Sequence, residues 1–133
     1  MRSCTTIEQS KHLLELGLDF KTADMFWEYH EKWYSEGDEW EGYEDFPRNE
    51  PYTEYTRTEK EWLEPKSDIP CWSFVGLLNL IKPYKEHTYE LKGTLDGGAM
   101  ISFEAVTCVM YQEEEPIDAV YEMVCWLIEK KYI

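Results

Sequence analysis

The sequence is poor in the patterns that announce catalysis. It contains no P-loop, no G-x-G-x-x-G, no H-E-x-x-H and no G-x-S-x-G. Gly97-Gly98 is accounted for by a hairpin turn. Only three histidines occur: His12 on an expected helix, His30 in an aromatic stretch and His87 ahead of a hairpin. Each reads as a surface or partly buried side chain rather than a catalyst. A Cys-His nucleophile would need tertiary proximity that spacing does not show.

Basic residues are scarce as well: 13 Lys and Arg face 28 Asp and Glu, for a net charge of −15. Such a chain repels DNA, RNA and anionic membrane surfaces, so no direct nucleic-acid or membrane binding is expected. A basic protein partner or a cationic ligand is electrostatically easier. Net negative charge also serves solubility without any partner.

Long apolar runs are missing, and none approaches the ~18 residues of a membrane helix. The opening MRSCTTIEQSKH has no apolar core, so no signal peptide is expected. Cys4, Cys71, Cys108 and Cys125 lie far apart, with no C-x-x-C pair. Free thiols in a reducing cytoplasm follow as the expectation. A zinc site would require distant cysteines to converge. Asp38, Glu39, Glu41, Glu44 and Asp45 supply enough oxygens for a divalent cation but lack the ordered spacing of a calcium loop. A solvated charge run is the preferred reading, and no metal or cofactor is expected.

What the chain does have is an apolar framework. Hydrophobic residues make up 43% of 133, enough for one domain with a real core and too many for a disordered chain. In Glu113–Ile133, three acids precede Pro116 and two lysines close the segment, as the helix dipole favours. Asp118, Glu122, Cys125 and Glu129 share one narrow stripe, and the rest from Ile117 to Ile128 is apolar or aromatic. That is a helix buried on most of its circumference. A first helix is expected after Thr5 and Thr6, since both Thr5 with Glu8 and Thr6 with Gln9 have capping-box spacing. Gly17 is placed to end it in a left-handed conformation, with Leu18 folding back on Leu13. A second helix is expected from Ser67 or Asp68, with Pro70 in its first turn and Trp72, Val75, Leu78 and Ile81 on one side. Pro83 stops it.

Alternation of Tyr89, Leu91 and Leu95, and of Ile101, Phe103, Ala105, Val109 and Tyr111, reads as a hairpin turning at Asp96-Gly97-Gly98. A three-residue loop pairing Leu91 with Phe103 keeps the apolar face whole. Alternation through Ala23–His30 favours a strand, with a helix through Phe26, Tyr29, His30 and Trp33 as the alternative. The fold class is therefore α+β: three helices packed on a small antiparallel β-sheet, in a single domain spanning 1–133.

The stretch from Asp19 to Pro65 differs in kind. It carries 15 acids, 5 bases and 12 of the 21 aromatic residues. Residues 36–65 read as an acidic, aromatic-rich, loop-like insertion, with a short strand near Tyr52 to Thr58 as the one candidate element. Trp27, Trp33 and some tyrosines either pack the core or join an exposed aromatic platform rimmed by acids. For Trp40, Tyr43 and Phe46 no apolar periodicity decides.

Four separated blocks, CTTIEQSKHLLELGLD, TADM, DIPCWSFVGLLNLI and DAVYEMVCWLIEKKYI, together resemble a family of small phage, prophage and mobile-element proteins of gut Bacteroidales. The resemblance implies a phage-related context in a bacterial cytoplasm. It transfers no activity and no site residues.

The leading functional expectation is a non-enzymatic accessory protein that binds another protein, with a basic partner the easier fit to its charge. Its candidate surface is Trp40, Tyr43 and Phe46 with Asp38 and Glu41, because tryptophan and tyrosine carry much of the energy at interfaces. An acidic mimic of nucleic acid that inhibits a host DNA-binding protein is the first alternative. A small enzyme with an unrecognised site is the second.

Overall fold

The computed structural model describes residues 2–51, 67–81, 88–93, 99–104, 108–113 and 115–131. Among them run α1 (Ile7–Glu15), β1 (Met25–Trp27), β2 (Tyr29–Ser35), β3 (Asp38–Tyr43), β4 (Ile69–Cys71), α2 (Phe74–Ile81), β5 (Thr88–Gly93), β6 (Ala99–Glu104), β7 (Cys108–Glu113) and α3 (Pro116–Glu129). The strands pair antiparallel as β1–β4, β2–β3 and the meander β5–β6–β7. The fold is α+β, with α3 lying on β6 and β7 and against α2.

The first helix forms as its caps dictate. Of the two possible capping boxes, Thr6 with Gln9 is the one used: the Gln9 N–H donates to Thr6 Oγ1 at 3.1 Å, and the Thr6 N–H donates to Gln9 Oε1 at 3.0 Å. Gly17, at φ +100°, ends the helix. Its N–H reaches the Leu14 carbonyl at 3.0 Å and that of Leu18 reaches Leu13 at 3.1 Å, the paired bonds of a Schellman ending. Leu13 and Leu18 are both buried.

Thr5 is free for another task. Fully buried, its N–H donates to the Trp72 carbonyl at 2.9 Å, and its hydroxyl accepts from the Trp72 N–H at 3.1 Å. The same hydroxyl meets Ser10 Oγ at 2.7 Å, and the Thr5 carbonyl accepts from the Trp27 indole N–H at 3.2 Å. One threonine therefore ties α1, β1 and the end of β4 together with every polar atom matched, which burial demands.

The second helix starts later than the sequence suggested. Residues Ile69–Cys71 are a strand, and Pro70 lies opposite Phe26. A proline is tolerated there for a specific reason. Phe26 spends both its N–H and its carbonyl on Arg48, at 3.2 and 2.8 Å, so these groups point away from Pro70 and require no N–H from it. Trp72 is buried ahead of the helix, not on its face. Ser73 is the cap: its Oγ accepts from the Gly76 N–H at 3.0 Å. Asp24, from a distant segment, accepts from the Ser73 N–H at 2.8 Å and from the Ser73 hydroxyl. Two segments thus make the reciprocal arrangement that a capping box makes from one. Leu77 and Ile81 are core, Leu78 is half-buried, and Val75, expected inside, is exposed.

The main core joins Leu13, Phe20, Ile69, Trp72, Leu77 and Ile81 to the inner side of α3, where Ile117, Val120, Met123, Val124 and Leu127 are buried. As expected, α3 starts with Pro116 in its first turn and is buried round most of its circumference. Its Cys125 is buried too; desolvation pushes that thiol up to about 11. Arg2 bonds to Asp118 and, at 3.0 Å, to Gln9 Oε1, while the Gln9 amide donates to Asp118 at 2.8 Å. This polar cluster fastens α1 to α3.

The expected hairpin is a three-stranded meander. Leu91 pairs with Ile101, not Phe103, and β6 ends at Glu104, where the sequence suggested one continuous return strand. Phe103 then pairs with Val109 and Ile101 with Tyr111. This register sets odd-numbered positions opposite odd-numbered ones, so the reversal leaves no mark on the apolar pattern. The turn around Asp96 and the candidate strand near Tyr52 lie outside the described residues.

Candidate functional site

The acidic stretch is in part a hairpin, which corrects the loop-like reading for residues 36–43. Ser35 pairs with Asp38, Tyr34 with Glu39, Trp33 with Trp40 and Tyr29 with Tyr43. A register shift between His30 and Trp33 bends the ladder. The turn consists of Glu36 and Gly37 alone, at φ 53° and 85°. Two-residue hairpin turns need this left-handed pair and normally use Asn or Asp before Gly. Glutamate disguised the turn, and a strand with no fully buried residue left no apolar period to reveal it.

Four of the five candidate residues lie on β3 of this hairpin, and Phe46 lies beyond it. Alternation along β3 places Asp38, Trp40 and Gly42 on one face and Glu39, Glu41 and Tyr43 on the other. Trp40 is half-buried, with its ring 3.7 Å from where a Gly42 Cβ would stand. Gly42, at φ +137°, leaves that space open. Glu41 is exposed and accepts from the Tyr29 hydroxyl at 2.7 Å. That bond to a carboxylate holds the Tyr29 proton and pushes its pKa up to about 12.

Tyr43 does different work from its neighbours. Its hydroxyl donates to the Ser67 carbonyl at 2.5 Å, its ring packs edge-on against Tyr29 with centroids 5.4 Å apart, and it borders the main core. It anchors the base of the hairpin to the segment entering β4. Phe46, just beyond β3, is 79% exposed. Tyr34, which sequence reasoning did not single out, is 67% exposed beside the turn. Its signal was only its place in a strand with charged neighbours on either side of the turn.

Charge is unevenly arranged around these aromatics. Lys32 pairs with Glu39 at 3.4 Å, and Arg48 with Glu28 at 2.7 Å, a bond that raises the arginine pKa. His30 lies 3.8 Å from Glu44. The region's described cations Lys32 and Arg48 are thus matched within it, while Glu31, Glu36, Asp38, Asp45 and Glu50 are exposed acids in excess. No three-residue His, Cys, Asp or Glu group arranged for a metal occurs among the described residues. None of their helices is long and apolar enough to cross a membrane.

The arrangement can offer two exposed aromatic rings near opposite ends of one hairpin, with carboxylates between them. Compared with protein-family models, curated proteins and solved structures, the chain matches none.

Proposed function

We propose that this protein is a non-enzymatic accessory protein that binds another protein through the β2–β3 hairpin and the segment after it. The observation that carries the reading is Phe46 and Tyr34 standing exposed amid surplus carboxylates. Large apolar side chains cost solubility when left in water, and aromatics rimmed by charge are typical anchors of interfaces. The partner supplies apolar pockets for the rings and basic groups for the acids. Trp40, Asp38 and Glu41 belong to this surface in a supporting role, and Tyr43 positions it. The resemblance to phage and mobile-element proteins supports a partner of bacterial or phage origin in the cytoplasm.

A photo-crosslinking residue placed at Phe46, and separately at Val75, tests this. Val75 is 60% exposed but lies on α2, outside the β2–β3 hairpin and the segment after it, and serves as the apolar control. In bacterial lysate the Phe46 probe should give a discrete adduct that fades with rising salt, because exposed charge pairs are screened. The Val75 probe should not give it. The same adduct from both positions, or from Val75 alone, contradicts the reading.

A further inference from the structure

We propose that Cys4 and Cys71 are a redox-active dithiol, which a small-molecule disulfide converts into an intramolecular disulfide. The two thiols are buried in one small cluster with Met25, separate from the main core. Backbone pairing puts them there: Cys4 bridges Ser73, and Thr5 bonds to Trp72, so Cys71 is the same-face diagonal neighbour of Cys4. Met25 is the direct cross-strand partner of Cys71. More than sixty residues of sequence separate the two cysteines, so their meeting is a product of the fold.

Their surroundings favour a neutral product. Contact with Cys71 and nearby Arg2 lower the Cys4 pKa, against the effect of burial, whereas the neighbouring Cys4 and burial raise that of Cys71. Cys4 follows the exposed Ser3 and the half-buried Arg2, so its sulfur is the one an incoming disulfide reaches first, and Cys71 is the resolving thiol. A monovalent soft metal held by both as thiolates would leave one negative charge in a buried cluster near Asp24, which disfavours it. A disulfide carries no charge and meets no such penalty.

With oxidised glutathione the steps balance as follows. The Cys4 thiolate attacks one glutathione sulfur, forming a mixed disulfide and releasing one glutathione thiolate, which takes up the Cys4 proton. The Cys71 sulfur then attacks the Cys4 sulfur and expels the second glutathione thiolate, which takes the Cys71 proton. Two cysteines are oxidised and one glutathione disulfide is reduced to two thiols. Because both cysteines are buried, the reaction waits on local lifting of the segment that carries Arg2 to Thr5.

The test is to incubate the folded full chain with oxidised glutathione, alkylate, and map the peptides by mass spectrometry. A Cys4–Cys71 cross-linked peptide lacking two hydrogens is expected, reversible with dithiothreitol and accompanied by a higher Tm. Cys125→Ser should close in the same way. Cys71→Ser should retain glutathione on Cys4, since the resolving thiol is gone. If that variant fails to fold, the wild-type map alone decides. Glutathione that stays on wild-type Cys4, a bond to Cys108 or Cys125 instead, or no reaction short of global unfolding would each overturn the proposal.

Discussion

The helical body and the β2–β3 hairpin solve opposite problems. In the body, α1, α2, α3 and the β1–β4 pair bury Leu13, Trp72, Leu77, Val124 and Leu127 completely, and the buried polar group of Thr5 is matched atom for atom. The hairpin shows carboxylates and aromatic rings to solvent and is held at its base by Tyr43 on Ser67 and by the Tyr29–Tyr43 contact. Stability therefore resides in the body, and the hairpin can change its exposed side chains at little cost. The proposed binding role relies on that separation.

Substitutions in the two regions should differ sharply, and the largest effects belong to the body. Leu127→Ala should lose about 2–5 kcal/mol in chemical denaturation, through lost transfer energy and the cavity left behind. Leu78→Ala, at a half-buried position, should lose clearly less. Equal losses would mean that α2 packs in a different rotation.

Gly76→Ala comes next. An added Cβ would stand 2.6 Å from Asp24 Oδ1, so the carboxylate that caps α2 must move. Alanine in an open helix position would gain about 1 kcal/mol over glycine. Here a loss of about 1–3 kcal/mol is expected from overpacking, measurable by urea denaturation. A gain would show that Asp24 does not approach the helix so closely.

Thr5→Val keeps the shape but leaves the Trp72 N–H without its acceptor, and should also lose about 1–3 kcal/mol. Thr5→Ser, which keeps the hydroxyl, should recover most of this. On the hairpin side the sign reverses. Glu36→Asn should gain about 1 kcal/mol, because asparagine tolerates the left-handed turn position better than glutamate. Thermal unfolding of the variant checks it, and a lower Tm would mean that the turn needs the glutamate side chain.

The two regions also differ in how far the sequence disclosed them. The α3 stripe, the Thr6–Gln9 cap and the Gly17 ending were legible because each is local: periodicity, spacing and a positive φ are written in neighbouring residues. The start of α2 was not, since its cap depends on Asp24 and its preceding strand on Phe26 turning its bonds to Arg48. The reversal between β6 and β7 was hidden because their register sets odd positions opposite odd ones. At the candidate site, the composition of the acidic stretch pointed to Trp40 and Phe46. It could not separate Tyr43, whose hydroxyl is committed to Ser67, from the exposed rings, nor find Tyr34. Division of the four candidates on β3 between two faces follows from strand alternation, which was unreadable while the stretch looked like a loop.

The smallest expected change in stability carries the central claim. Trp40→Ser and Phe46→Ser should be combined, leaving Tyr43 in place because it anchors the hairpin. Tm should shift little, while the salt-sensitive crosslinked partner, captured through a probe at Tyr34, should be lost. An unfolded double variant would make these rings part of the framework. A folded one that still captures the same partner would place the binding surface elsewhere on the molecule.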